Sequence, residues 1–351
     1  MRVEVLERSP HVGGHARFEQ RDGVWFEPNG PHILHTSNPA VMRYVTRLGV
    51  VRPYEHRVLT EVFPHGEDEE PRLLSWPPQV DELRALPAWR TIERELAMRP
   101  PGPHGDDFET WVISLMGPTL YEMFVRGYTE KQWGAAPSHL SSAVAPRRVD
   151  LRSDGNTRLF RDTWEFFPPT GYQDAVAASL AGVAVTLGCE VTARDLDDLA
   201  RDHHAVVLTC PLDDFLRRAG ELAWRGIRTE TTFHETDAED GTVTAAYCIN
   251  RPSPTVPYTR TIETKHATGQ RVHGTVVGHE YPGSPARHYP VPTPDRRHEA
   301  TNAALKREIT GLAAVPVFFC GRLADYSYID QDAAIEQAWE CADAVAATLG
   351  R

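Results

Sequence analysis

The spacing of apolar and polar positions changes several times along the chain, and each change predicts an element. "VEVLER" at 3 to 8 is a short apolar run closed by an acidic residue, which predicts a strand; the glycine turn "SPHVGGHA" follows. "NPAVMRYVTRLG" (38–49) predicts a helix with Asn38 as N-cap, Pro39 at the first position and Gly49 as the stop. Val41, Tyr44, Val45 and Leu48 fall on one face of it. From 80 to 145 the period is mainly helical, with apolar residues three and four apart through "DDFETWVISLMGPTLYEMFVRGYTEKQW". Residues 172 to 187 predict another helix, and "HAVVLTC" (204–210) a fully buried strand. Alternation returns between about 226 and 290 in a stretch rich in Thr, Val and Tyr. "VPVFFCGR" predicts a last buried strand, then a glycine turn and a helix from about 332, with Ile335, Trp339, Ala342 and Val345 on one face. Residues 66–71, 99–107 and 282–294 are the most loop-like. Strands at 3–7, 204–210 and 316–320, separated by helical and mixed segments, predict one α/β sheet interrupted by insertions.

Composition narrows the function classes. The chain has 351 residues, 41% apolar and 25% charged, enough for two intimate domains or one with an insertion. A net charge of −12 argues against nonspecific binding to nucleic acid or to an anionic membrane. No run of about 18 apolar residues is present, so no membrane insertion is expected. Five scattered cysteines without CxxC spacing read as reduced thiols in a cytoplasmic protein.

A strand closed by an acid such as Glu7 is how the second strand of a dinucleotide-binding unit ends, its carboxylate on a ribose hydroxyl. On the strand alone, a surface charge is the better reading. The strand, G-x-G-x-x-G turn and helix that open such a unit do not precede Glu7 in this sequence. A mis-assigned start codon is the simplest expectation. "GPHILHTSNP" (30–39) adds two histidines three apart, His32 and His35. A metal would need further converging ligands, and none is recognisable, so no metal is expected.

"HVGGHA", "GPHILHTSN", "PYEHRV", "LYEMFVRGYTEKQWG", "PYTRTIETKHATGQ", "EYP", "HYPVPTP" and "GRLADYSYID" occur in this order, and together they resemble the signature blocks of the UDP-galactopyranose mutases. The resemblance runs from about residue 3 to the C-terminus. It implies an α/β fold: an FAD/NAD(P)-binding Rossmann-like domain, here N-terminally incomplete, with an inserted helical domain and a twisted antiparallel sheet. The corresponding division is 1–79 (first part of the FAD-binding domain), 80–145 (helical insertion), 146–310 (substrate-binding sheet and return to the FAD domain) and 311–351 (last strand and helix). The implied activity is that of an isomerase, a pyranose/furanose mutase acting on a nucleotide-diphosphate sugar, as in galactofuranose supply for cell-wall polysaccharides. In the family, reduced FAD attacks the anomeric carbon through N5, displaces the diphosphate, and returns it after the sugar recloses, with no net redox change. A homodimer is a further expectation.

The same resemblance assigns residues. Arg147 ("APRRVD") and Arg260 ("VPYTRT") match the diphosphate-holding arginines, and His32 matches the histidine beside flavin N5. Tyr289, Tyr326 and Tyr328 match phenols on the phosphates. Tyr128 matches the base-stacking tyrosine, Trp133 a sugar-pocket tryptophan, Phe124 a neighbouring wall residue and Asn250 a base-contacting asparagine. Glu7, Gly13, Gly14, His32, His35, Gly321, Arg322 and Asp330 match cofactor-side positions. Without the opening glycine loop, this chain is expected to bind FAD poorly, because helix and glycine amides neutralise the pyrophosphate. A catalytically inactive, nucleotide-sugar-binding homologue is therefore the alternative. An amine-oxidase-type flavoprotein would share "VLER…VGG" but not "PYTR" or "GYTEKQWG".

The sequence departs from the family pattern in the substrate pocket too. In "SDGNTRLF" (153–160), Leu159 or Arg158 stands where a tyrosine usually precedes the phenylalanine. Val125 replaces an aromatic that often flanks the uracil, and Cys210 a usual glycine. The changes at 158–159 and at Val125, but not that at Cys210, affect the nucleotide-sugar pocket and predict a preferred substrate other than UDP-galactose, a 6-deoxy sugar or a different base among the options, with Arg126 or Arg251 available to contact that base.

Overall fold

The computed structural model describes all residues except Met1, Val51, His65, Glu67, Asp68, Glu69, Arg147, Arg148 and Arg351. Two parallel strand pairs come from the α/β part. β1 (Glu4–Glu7) pairs with β9 (Ala184–Leu187), and β10 (Val206–Leu208) pairs with β15 (Val317–Phe319). The expected single sheet is thus present as two pairs, not bonded to each other among the described residues. Val3, Leu187 and Val207 are correspondingly exposed there.

A hairpin of β2 (Glu19–Arg21) and β3 (Val24–Phe26) leads to β4 (Leu34–Thr36), which joins β8 (Trp164–Phe167) and β5 (Arg52–Pro53) in a three-stranded antiparallel sheet. The largest sheet has six strands in the order β11 (Trp224–His234), β14 (Thr275–Pro290), β13 (Arg260–Ile262), β12 (Cys248–Asn250), β6 (Val58–Val62) and β7 (Arg72–Trp76). All neighbours are antiparallel except β12 and β6. β6 buries Val58, Thr60 and Val62 in strict alternation, as the two-residue period of a strand requires.

Three apolar cores result. One, around Leu34, Val41, Val45, Phe167 and Tyr247, lies under the three-stranded sheet. A second, with Ile92, Val112, Met116, Leu120 and Tyr121, is built mainly by the helical segment and includes Val62 of β6. A third, with Leu208, Leu212, Phe215 and Ile309, packs helices on the β10–β15 pair.

The helix after Asn38 forms as expected. Asn38 Oδ1 accepts from Ala40 N at 2.8 Å, and the helix runs Pro39–Arg47. Two other expectations need correction. The helix at 172–187 stops at Ser179; Gly182, at φ +81°, turns the chain, and "AVTL", with β-branched Val185 and Thr186, becomes β9, which pairs with β1. The stretch 282–294 is not a loop for most of its length, because β14 continues to Pro290. Prolines are tolerated there because the ladder with β11 shifts register beside Gly226.

Candidate active site

The six-stranded sheet provides one wall. Asn250 is the cross-strand partner of Arg260, and Arg260 that of Glu280, so the three side chains stand in one row on one face. Arg260 Nε donates to Glu280 Oε1 at 3.1 Å, and the Thr259 hydroxyl donates to the same oxygen at 3.1 Å. Burial opposes the Arg260 charge, and the Glu280 carboxylate more than offsets that cost. Glu280 is fully buried, yet its Oε2 has no hydrogen-bond partner among the described residues.

The opposite wall is helical. Pro118–Leu120, a π-helical turn at Tyr121–Arg126 and Gly127–Trp133 follow one another directly. Single π turns re-aim side chains and recur at functional sites. Here the turn carries Phe124 and Val125, with Tyr128 next, and all three line a cavity of about 170 Å³ facing the sheet. A Cβ on Gly127 would lie 2.2 Å from the Pro252 carbonyl oxygen, so only glycine lets the helix approach the loop after β12. Lys131 secures this contact, its Nζ donating to the carbonyls of Arg251, Ser253, Val256 and Tyr258.

An aromatic corner closes the cavity. The rings of Trp133, Tyr289 and Tyr328 meet edge to face, with centroids 5.6 to 6.3 Å apart. The Arg322 guanidinium lies 5.8 and 5.2 Å from the Tyr289 and Tyr328 ring centres. It is held in place by donating to the Ile329 and His288 carbonyls.

The Gly30–His32 turn lies nearby. Gly30 has φ +84°, and a Cβ there would fall 2.7 Å from Glu280 Oε2, which again requires glycine. His32 Nδ1 is 2.7 Å from the Gly30 carbonyl, so Nδ1 carries the proton and the lone pair sits on Nε2. Burial pushes His32 down to about 3, with smaller contributions from Arg322 and His15, so its imidazole is neutral at physiological pH. His35 donates from Nδ1 to Asp162 Oδ2 at 2.8 Å and stacks on Phe160 at 3.6 Å. Its Nε2 is 3.8 Å from Asp330 Oδ2.

Of the residues expected from sequence, the cavity brings together Phe124, Tyr128, Trp133, Asn250, Arg260 and Tyr328. Tyr289 joins through its contacts with Trp133 and Tyr328. Gly321, at φ +86°, opens the short helix that carries Arg322. Glu7, Gly13 and Gly14 lie apart, at the end of β1. There Glu7 Oε1 accepts from Ser9 N at 2.6 Å, and both glycines have positive φ.

Tyr326 is a correction. Its hydroxyl is already engaged by the Ala223 carbonyl and Val291 N, and its ring packs in the third core against Trp224, so it does not reach the cavity. Arg147 lies outside the described residues. Arg126 is paired with Glu122 and Glu130, and Arg251 with Glu61 and Thr261.

Sequence reasoning gave no role to Glu27, His56 or Glu280. Glu280 stood inside the quoted "EYP", and its place opposite Arg260 follows only from strand register. His56, in "PYEHRV", lines the cavity with Nδ1 unpartnered among the described residues. Burial pushes it down to about 3, helped by Arg260 and His35. Among the described residues, no group of three His, Cys, Asp or Glu side chains is placed to hold a metal, and no helix is long and apolar enough to cross a membrane.

Comparison with known proteins bears on family and fold. The family model described as UDP-galactopyranose mutase matches residues 123–328, and an NAD(P)-binding Rossmann-like domain matches residues 1–48. The chain is 28% identical over 359 residues to a probable UDP-galactopyranose mutase of Klebsiella pneumoniae, covering 97% of this chain and 88% of that one. It is 27% identical over 364 residues to a dTDP-fucopyranose mutase of Escherichia coli, covering 97% and 91%. The crystal structure of a reduced UDP-galactopyranose mutase superposes with a TM-score of 0.75 at 15% identity, covering 99% of this chain and 96% of that one. A putative protoporphyrinogen oxidase from Exiguobacterium sp. 255-15 shares the fold more loosely, with a TM-score of 0.62 at 12% identity and coverage of 97% and 92%.

Family and fold imply an FAD-type flavin cofactor. The residues present fit a group of that kind: the neutral His32 imidazole, with its lone pair on Nε2, and the Arg322 guanidinium that acts on it stand together beside the cavity. With more than half of its length matched by the family model, the chain belongs to the UDP-galactopyranose mutase family.

Proposed function

We propose that the protein interconverts the pyranose and furanose rings of a sugar carried on a nucleoside diphosphate, with FAD in its reduced form as cofactor. One observation carries this reading: six residues from four separate segments of the sequence, Phe124, Tyr128 and Trp133 from one and Asn250, Arg260 and Tyr328 from three others, line a single cavity between sheet and helix. The chemistry supplied by bound reduced FAD is that of a nucleophile toward the anomeric carbon.

The chain's own residues position and compensate charge. The diphosphate gains negative charge as its bond to the sugar breaks, and Arg260, oriented in advance by Glu280, offers a fixed guanidinium to it. Arg147 is proposed as its second clamp, and the Tyr289 and Tyr328 phenols as donors to the same oxygens. Tyr128 stacks on the base and Asn250 bonds its edge, while Trp133 covers the sugar. His32, neutral and fixed on Gly30, gives the reacting centre a polar lining without competing for the diphosphate as a cation would. His35 and Asp330 are proposed on the cofactor's side with Gly321, Arg322, Gly13, Gly14 and Glu7.

The direct test is incubation of the protein with FAD, dithionite and a nucleotide sugar, followed by chromatographic separation of ring isomers. Conversion supports the reading. Binding of nucleotide sugar without conversion would favour an inactive homologue.

A second reading concerns the substrate. Val125 and Leu159 both line the cavity where an aromatic and a phenol are usual, so this pocket is less polar and offers less stacking area. That favours a methylated base or a deoxygenated sugar, such as dTDP-fucopyranose, over UDP-galactopyranose. Competition between these two substrates checks it, and a higher kcat/KM for UDP-galactopyranose would overturn it.

A further inference from the structure

Beneath the Gly30–His32 turn lies a carboxyl group to which the proposed chemistry assigns no task. Glu27 is 2% exposed. Its Oε1 accepts from the His32 backbone N–H at 2.7 Å and lies 3.8 Å from His32 Nδ1. Its Oε2 accepts from the Tyr247 hydroxyl and, at 3.4 Å, from the Thr264 hydroxyl. No lysine or arginine forms an ion pair with it among the described residues. A buried carboxyl is usually matched by a cation or lost to apolar residues. Here it is matched only by neutral donors, and one of them is the backbone of the turn that carries His32.

We propose that Glu27 is a positioning residue of this site: its carboxyl fixes the Gly30–His32 turn and exchanges one proton with solvent, which changes the charge beneath the His32 ring. The direction of that exchange follows from the surroundings. Burial raises the carboxyl to about 8, against the opposing pull of Tyr247, the His32 N–H, Thr264 and, at longer range, Arg260. The other titratable groups facing it are His32 on its turn, Tyr54 before β6, Tyr172 on the helix after β8, and Cys248 on β12. The three tyrosines and the cysteine are all held above their ordinary values, and His32 is held below, so these groups stay neutral while Glu27 titrates. Near neutral pH the proton therefore leaves Glu27 itself, and the turn passes from resting on a neutral acid to resting on an anion.

The sign for stability is fixed by linkage. A carboxyl whose folded pKa stands above its unfolded value of 4.5 contributes most below 4.5, and that contribution is lost as the pH rises to about 8. The inference rests on the proposed function only for calling the turn part of the site. Its test uses the chain without cofactor or substrate, so a failure here is distinguishable from a failure of the mutase reading.

The experiment is histidine-selective NMR of the full chain, with His32 assigned by His32→Asn, alongside thermal unfolding over the same pH range. In the unmodified protein the His32 ring resonances should shift through a midpoint near 8, far above any titration of the ring itself. Glu27→Gln should abolish that shift and flatten the fall in Tm between about pH 5 and 8. Resonances that stay flat in the unmodified protein, or shift equally in Glu27→Gln, would overturn the proposal. Should Glu27→Gln not fold, Tyr247→Phe removes one donor to the carboxylate and should move the midpoint upward; an unmoved midpoint counts against the proposal.

Discussion

Arg260 shows what a single side chain contributes that its charge does not. A lysine at 260 would keep the positive charge but lose the Nε–H that donates to Glu280 and the planar fork that matches a diphosphate. Arg260→Lys should lower kcat about a hundredfold, roughly 3 kcal/mol of transition-state stabilisation, while the protein stays folded; steady-state kinetics with matched unfolding curves check it. Tyr326 and Tyr328 make a contrasting pair. Tyr326→Phe loses hydrogen bonds to the backbone at Ala223 and Val291 and should cost about 1 kcal/mol of stability with little effect on KM. Tyr328→Phe should do the reverse. The motif "DYSYID" points to both tyrosines alike, but a string of letters does not say which way each side chain points. Tyr326 takes φ +48° and turns into the third core, whereas Tyr328 lines the cavity.

At the level of elements, the strongest devices are buried charges that fasten loops. Glu263 accepts from Val243 N, Thr244 N and the hydroxyls of Thr244 and Thr275, and so ties the 243–247 segment to β13 and β14. Burial opposes its ionisation, yet His266 and these donors outweigh burial and hold the carboxyl down at about 2. Stability from Glu263 is therefore present above 4.5 and lost as the pH falls toward 2. Glu263→Gln should cost about 3 kcal/mol near neutrality and reduce the acid sensitivity in that window, as urea titrations at several pH values would show. Lys131 works in the same way between helix and loop. Lys131→Met keeps the carbon stem but removes the donor to four carbonyls, and should cost about 3 kcal/mol by the same measurement.

Such fasteners are hard to see in sequence because the partners of Glu263 and Lys131 are mostly backbone atoms of distant segments. Local signals were legible: the Asn38 cap and the helical period at 80–145 formed as their residues dictate. The end of the helix at Ser179 was not, because β1, about 180 residues away in sequence, recruits 184–187 into a strand.

For the whole molecule, the fold class could be read from ordered motif blocks, while the assembly of the cavity could not. Register decides that Asn250, Arg260 and Glu280 form one row, and a π turn decides that Phe124 and Val125 face that row. Neither leaves a periodic trace in the sequence. The cavity lies between the helical segment that carries Tyr128 and the sheet that carries Arg260, and the two cores meet where Val62 and Trp76 of the sheet pack on the helical cluster. Filling space at Val125 leaves the strand register that aligns Asn250, Arg260 and Glu280 unchanged. Val125→Phe should change relative KM among nucleotide sugars about tenfold or less, with kcat nearly constant, in competition assays.

That division of roles between sheet and helix has a consequence for how such a protein diversifies. On the proposed function, substitutions in the helical wall retune which nucleotide is accepted while Arg260, on the sheet, still faces the diphosphate. Selection can then try new sugars without first dismantling a working catalyst.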